Sequence, residues 1–263
     1  MFGKVKSIFK ALLQLVIYFI VMTFVSVIIY IMNNKNGSLM DNLKGESAMS
    51  DILANNIIQI TIISSLASLV IFYLIFKLKG QDLIKRCKFR KLNNSEIKNI
   101  FSVALLISFA NMFLTMSLSP YFLEYQEVSN MISKQTTSIF GVLTLVVLVP
   151  IFEEILFRGI IFNTLKKEIR LIPSIFISAL IFSLAHGNML QGIYTFILGI
   201  LLAGIYIKLN SIFAPILIHL IYNLLGSLIA IFIPSLGFAN IFIFILFIIL
   251  TYKVYNKIEY VEV

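Results

Sequence analysis

Long apolar runs recur along nearly the whole chain and limit its fold more than any other feature. A helix needs about 20 apolar residues to cross the hydrocarbon layer of a bilayer. Eight runs approach this length: 11–33, 57–77, 99–119, 138–163, 172–188, 190–207, 211–233 and 237–252. The chain is 60% hydrophobic and only 13% charged, which excludes an ordinary soluble domain. We predict an all-α polytopic membrane protein with about eight transmembrane helices, forming a single transmembrane domain over residues 1–263.

The Lys and Arg residues are distributed unevenly between the predicted loops. Short loops that are rich in these residues stay in the cytoplasm. With an inner N-terminus, seventeen of the twenty-one basic residues fall in inner segments, eight of them between Lys77 and Lys98. We therefore predict a multi-pass protein of a bacterial plasma membrane with both termini cytoplasmic. Insertion accounts for the net charge of +9, so we expect the lipid bilayer as a partner and no nucleic acid.

Two adjacent glutamates, Glu153 and Glu154, lie inside the fourth apolar run. Ionisable groups at that depth are costly and usually have a function. The two histidines of the chain, His186 and His219, also fall in apolar runs further along. This coincidence predicts an active site inside the helix bundle.

The glutamate pair opens the motif Glu-Glu-x-x-x-Arg, which ends at Arg158. Glu154 and Arg158 are four residues apart, so on a helix they share a face and can form an ion pair. Glu153 is rotated by about 100° from its neighbour and can point elsewhere. The motif thus predicts one carboxylate held by Arg158 and another free to act as a base.

Two further motifs lie downstream, Phe182-x-x-x-His186 and His219-x-x-x-Asn223. With a glutamate base, two imidazoles and a carboxamide could activate water and stabilise an oxyanion, as amide hydrolysis requires. Each motif also has a structural interpretation, because an intramembrane His or Asn often only links helices. We interpret Phe182 and Tyr222 as packing residues.

The three motifs in this order resemble the signature of the Abi/CPBP family, the type II CAAX prenyl protease-like intramembrane proteases. All three motifs match the family signature at every defining position. The resemblance implies a catalytic core at about 138–233. It implies that Glu153 and His186 activate water and that His219 and Asn223 form the oxyanion hole. The supporting residues would be Glu154, Arg158 and Phe182.

A metal is left open by these residues. Glu153, His186 and His219 could supply a His₂Glu zinc set of the metalloprotease kind. The chain has no His-Glu-x-x-His segment, however, and ligation by Glu153 would leave the base to another group. We favour water activated by glutamate without a cofactor, with zinc as the alternative.

Ideal straight helices would separate the motif residues by about 10 Å along the membrane normal. Helices kinked or reset at Pro150, Pro173 and Pro215 are expected to bring them together. Hydrolysis also needs water, so we expect a polar cavity open to the cytoplasm. Close packing of the sixth helix is expected at its small residues, Gly192, Gly199 and Ala203.

The motifs favour an intramembrane endopeptidase that cleaves a membrane-associated peptide or protein. The resemblance suggests a CAAX-protease-like activity, used in bacteriocin or signal-peptide processing or in self-immunity. The alternatives are a non-catalytic membrane scaffold or immunity protein and, less favoured, an ion-coupled transporter. A transporter of the repeat type would show two related halves, which the sequence lacks. The sequence leaves the oligomeric state open.

Overall fold

The computed structural model describes residues 2–33, 46–229, 237 and 239–261. Every regular element in these ranges is a helix. The helices are α1 Phe2–Asn33, α2 Glu46–Asn55, α3 Ile57–Leu78, α4 Leu83–Cys87, α5 Asn94–Leu118, α6 Leu123–Gln135, α7 Ile139–Lys166, α8 Leu171–Leu184, α9 Met189–Leu209, α10 Phe213–Ile229 and α11 Ala239–Lys257. The end of the predicted span 211–233 lies partly outside the described residues.

The all-α polytopic architecture is confirmed, but a count of eight spans is not. Within the described ranges, six helices are long and apolar enough to cross a membrane: α1, α3, α5, α7, α9 and α11. The other two predicted spans correspond to the shorter apolar helices α8 and α10. Helix α8 has 14 residues, and at a rise of about 1.5 Å per residue it is too short to cross the hydrocarbon layer.

Helix α7, which carries the glutamate pair, is not a regular α-helix. It contains two π-helical segments, Thr144–Leu148 and Ile155–Phe162, on either side of the α-helical stretch Val149–Glu154. π-helical turns inside α-helices are rare overall, and those that occur are often located at functional sites.

Helices α8 and α9 form a tight hairpin. Gly187 has φ +67°, which reverses the chain, and Asn188 caps α9 by accepting from the Gln191 backbone N–H. Further along, a Cβ placed on Gly199 would lie 3.1 Å from Ala179. The predicted role of this glycine in close helix packing is thus confirmed.

The basic segments gather at one end of the bundle, which we call the basic end. Hydrogen bonds join them in three places: the Ser7 hydroxyl donates to Thr164 O, Arg90 donates to Leu209 O, and the Val261 N–H donates to Lys208 O. The start of α1, the loop between α3 and α5, the end of α7, the α9–α10 turn and the end of α11 therefore lie together. This is the arrangement that the distribution of basic residues predicted.

Candidate active site

The carboxylate of Glu154 is buried and accepts two charge-assisted hydrogen bonds at a single oxygen. Arg158 Nη1 lies 2.9 Å and His219 Nδ1 2.8 Å from Glu154 Oε1. The predicted pair of Glu154 and Arg158 is confirmed. The guanidinium of Arg158 also donates to Gly199 O at 3.3 Å and lies 4.6 Å from the centre of the Phe182 ring. One buried ion pair thus links α7 to α8, α9 and α10.

Glu153 points away from this buried pair, as its rotation around the helix predicts. Its side chain is 21% exposed, whereas that of Glu154 is 0% exposed. Glu153 Oε2 lies 3.6 Å from His219 Nε2. The imidazole of His219 is therefore placed between the two carboxylates, with Nδ1 towards the buried one and Nε2 towards the exposed one.

His186 is oriented by the backbone of its own helical turn. Its Nδ1 lies 2.8 Å from the carbonyl oxygen of Phe182. Because a carbonyl can only accept, Nδ1 carries the proton and the neutral ring has its lone pair at Nε2. The ring of Phe182 contacts both histidines edge to face, with centroids 4.8 Å from His186 and 5.9 Å from His219. Phe182 therefore fixes the two imidazoles relative to each other.

Asn223 is held by a backbone carbonyl that α7 leaves free. The Val149 N–H donates to Thr144 O, which is the five-residue spacing of a π-turn. In the same register Leu145 O would need the N–H of Pro150, and proline has none. The side-chain amide of Asn223 donates to Leu145 O instead, at 3.0 Å. Because Pro150 has no N–H, Leu145 O can accept from Asn223 and hold this side chain in the site.

One cavity of about 690 Å³ connects the proposed catalytic residues. It is lined by Glu153, His186, His219 and Asn223, while Glu154, Arg158 and Phe182 lie buried behind it. The separation estimated from straight helices does not hold, because Glu153 and His219 are close enough for an ion pair. The structure therefore brings all three motifs to one place.

The cavity does not reach the basic end, where a mouth to the cytoplasm was expected. Its lining comes from the second halves of α5 and α10, the first half of α7, the start of α9 and one face of α6. All these parts lie towards the other end of the bundle, because the opposite halves of the long helices carry the basic segments. The described lining residues therefore form no opening at the basic end.

The sequence interpretation missed a polar cluster on the cavity wall. The amide of Asn111 donates to the Tyr194 carbonyl and to the Tyr222 hydroxyl, at 3.3 Å each. Tyr222, interpreted as a packing residue, thus has a polar partner one residue before Asn223. The available signal was a buried amide in the apolar run 99–119, where polar side chains usually have a partner or a function.

The sequence also did not reveal the structural role of Arg86. It lies among the basic residues between Lys77 and Lys98, where a positive charge indicates only the membrane topology. It donates to three oxygens of α7: Gly159 O at 3.2 Å, Ile160 O at 3.0 Å and Thr164 Oγ1 at 2.7 Å. Two of these groups belong to the π-helical segment that follows the glutamates. Arg86 therefore holds α7, the helix that carries the glutamate pair, from the basic end.

The side chains as placed do not fit a three-ligand zinc site. Among the described residues, no three His, Cys, Asp or Glu side chains converge as metal ligands. The Nδ1 atoms of His186 and His219 contact Phe182 O and Glu154, which leaves the Nε2 atoms as the only ring nitrogens that could be ligands. We derive no catalytic step through a metal.

Fold and site together define a helical membrane protein with a glutamate and histidine centre in an internal cavity. Residues 135–225, which include all three motifs, match the family model "Type II CAAX prenyl endopeptidase Rce1-like". This matched segment supports the resemblance of the three motifs to the Abi/CPBP family of membrane peptidases. The chain is 34% identical over 74 residues to "Putative membrane peptidase YdiL" of Bacillus subtilis (strain 168), a match that spans 28% of this chain and 30% of that protein. No solved structure matches the chain.

Proposed function

We propose that the protein is an intramembrane endopeptidase that hydrolyses a peptide bond of a membrane-associated peptide or protein. One observation carries this proposal. A carboxylate, two imidazoles and a carboxamide line a single cavity, and the ion pair that holds His219 is buried behind it. An isolated interhelical hydrogen bond would need none of this convergence.

Glu153 is the base in the proposed reaction, with His186 Nε2 as the second acceptor for the same water. Glu153 takes a proton as the water oxygen attacks the carbonyl carbon of the scissile bond. The resulting tetrahedral oxyanion accepts hydrogen bonds from His219 and Asn223. Collapse of this intermediate breaks the C–N bond, and protonated Glu153 returns the proton to the departing amine.

The buried groups determine which atoms take part. His219 Nδ1 donates to Glu154 at 2.8 Å, so in this mechanism its Nε2 donates to the oxyanion from the doubly protonated imidazolium. Glu154 is itself held by Arg158, which compensates its charge inside the bundle. Glu154 and Arg158 are thus positioning residues in this mechanism.

The protein is placed, in the same proposal, in a bacterial plasma membrane with the basic end in the cytoplasm. This orientation follows from the retention of Lys- and Arg-rich loops on the inner side. Both described chain ends, Phe2 and Val261, belong to segments at the basic end.

The test is cleavage of a membrane-associated peptide by purified protein in detergent. The wild type is compared with Glu153→Gln and His186→Ala, and with Glu124→Gln as a control at an exposed acid on α6. We expect both site variants to lose activity by about 100-fold or more, and the control to match the wild type. Equal cleavage by wild type and Glu153→Gln would contradict the assignment and favour a non-catalytic scaffold. A zinc chelator should leave the rate unchanged; inhibition that added zinc reverses would replace the metal-free mechanism.

A further inference from the structure

One side of the catalytic cavity is formed by α6, a helix between the end of α5 and the start of α7. The lining residues from this region are Tyr125, Ser129, Ile132, Ser133 and Thr136. Their spacing of three or four residues places them on one helical face. The opposite face carries exposed acids, Glu124 and Glu127. Tyr125 also joins α6 to the bundle by an edge-to-face contact with Tyr194, with centroids 6.5 Å apart.

The wall of this cavity is mostly apolar by area, and the polar groups on it are almost all uncharged. Glu153 is the one Asp, Glu, Lys or Arg among the described lining residues, and the two histidines accompany it. Hydroxyl and amide side chains supply most of the other polar groups: Ser108, Thr115, Ser119, Ser129, Ser133, Thr136, Gln191, Thr195 and Ser227. Burial raises the pKa of Tyr125, so its hydroxyl also stays neutral. A cationic substrate side chain would be buried here with Glu153 as its counter-ion, and this contact would occupy the base. An anionic side chain would find no Lys or Arg partner among the described lining residues.

The size and position of the cavity limit the substrate further. A volume of about 690 Å³ is within the roughly 300–1,000 Å³ of sites that enclose small ligands, so a short peptide segment fits and a folded domain does not. The cavity lies at the end of the bundle away from the basic segments, which is the extracytoplasmic side by the distribution of positive charge. A cleavage site at the inner membrane surface would face the basic end instead.

We infer that the substrate is an uncharged, extracytoplasmic segment of a membrane-anchored polypeptide, and that it docks against the hydroxyl-bearing face of α6. This inference rests on the proposed peptidase function and adds the side, the chemistry and the docking wall. The hydroxyls of Ser129 and Ser133 on α6 can both donate to and accept from the backbone of an extended chain. They provide the polar contacts that a segment lacking charged side chains would use.

The side of cleavage can be measured with oriented membrane vesicles from cells that produce the protein. The probe is a lipid-anchored, internally quenched peptide with an uncharged segment, added to the external leaflet. We expect cleavage in right-side-out vesicles, and in inside-out vesicles only the background of Glu153→Gln. Cleavage confined to inside-out vesicles would overturn the inference. A matched probe with one lysine in the segment should be cleaved at least about tenfold more slowly; equal rates would overturn the preference for an uncharged segment.

The docking wall is tested by blocking α6 from outside. Ser133→Cys lies on the cavity face and Glu124→Cys on the opposite face, and both are treated with a membrane-impermeant maleimide in right-side-out vesicles. The native Cys87 is buried, and burial raises the pKa of its thiol to about 12, so it does not react. We expect both variants to be labelled and only Ser133→Cys to lose cleavage. Labelling of Ser133→Cys without loss of activity would exclude α6 as the docking wall.

The proposed function and this inference fail in different ways. In detergent both ends of the protein are accessible, so the difference between wild type and Glu153→Gln reports on the function alone. If the two cleave the probe equally in detergent, the peptidase proposal is wrong. If they differ in detergent but the activity in vesicles is on the inner side, the peptidase proposal stands and the extracytoplasmic substrate is wrong.

Discussion

At the scale of single residues, the two neighbouring glutamates both contact His219 but differ in burial and in their other partners. Glu154 is buried with two donors on one oxygen, from Arg158 and His219. Glu153 is partly exposed on the cavity wall. Loss of the Glu154 charge would leave a buried guanidinium without its counter-ion, whereas Glu153 neutralises no buried cation in this way. The two positions should therefore respond differently to the same substitution.

We predict that Glu154→Gln lowers stability and activity together, while Glu153→Gln lowers activity alone. Removing one partner of a buried ion pair costs about 3–5 kcal/mol, so Glu154→Gln should unfold at a clearly lower temperature. The melting temperature in detergent and the cleavage rate of a membrane-associated peptide measure the two effects. A melting temperature that falls as far for Glu153→Gln as for Glu154→Gln would show that the buried and exposed roles are misassigned.

At the scale of helices, α7 is held by a contact from α4 that no local sequence pattern predicts. Arg86 donates to two backbone oxygens of the π-helical segment and to the hydroxyl of Thr164. A planar guanidinium can reach several acceptors at once, whereas an ammonium is a single point of donation. Lysine in place of Arg86 would keep the positive charge but would not reproduce these three hydrogen bonds.

Arg86→Lys is expected to destabilise the protein by roughly 2 kcal/mol, since hydrogen bonds to charged groups contribute this order of free energy. The neighbouring Lys85→Arg, at an exposed position on the same short helix, is the matched control and should leave the melting temperature unchanged. Thermal unfolding in detergent compares the two. If Arg86→Lys melted like the wild type, α4 would not hold α7.

The approach of α8 to α9 provides a second prediction for the helices. A Cβ on Gly199 would lie 3.1 Å from Ala179 and 3.3 Å from the ring of Phe182. Gly199→Ala should therefore cost about 1–3 kcal/mol by overpacking and should displace the ring that contacts both histidines. Gly226→Ala is the control, because a Cβ there meets nothing within 4 Å, and alanine in a helix should raise stability slightly. Equal melting temperatures for the two variants would contradict this packing.

At the scale of the whole molecule, the bundle is polarised, with basic residues at one end and the cavity towards the other. We predict that Lys91→Cys, at an exposed site between α4 and α5, is labelled by an impermeant maleimide only after cells are permeabilised. Thr137→Cys, at an exposed site between α6 and α7, should be labelled in intact cells. The reverse pattern would place the basic end outside and would invert the predicted orientation.

The features that the sequence predicted correctly are those that depend on local residue spacing or on composition. Eight apolar runs were enough to place the principal helices, and the four-residue spacing of Glu154 and Arg158 was enough to predict their ion pair. Hydropathy could not separate α8 and α10 from full spans, because a shorter helix inside a bundle is as apolar as a spanning one. The contacts of Asn111 and Arg86 join residues far apart in the chain, so no local pattern encodes them. The sequence did not predict that the cavity lies away from the basic end, because the position of a cavity depends on how five helices pack together.

Pro150 has a consequence for how the site would handle charge. In hydrocarbon, a backbone carbonyl left without a partner is costly, and Leu145 O acquires its partner from the amide of Asn223. That bond fixes the plane of the amide before any substrate arrives, so the remaining N–H has a set direction. A donor that is already aimed need not reorient as negative charge develops. In the proposed reaction, the missing backbone hydrogen bond at Pro150 on α7 would thus keep the amide of Asn223 on α10 rigid and oriented towards the oxyanion.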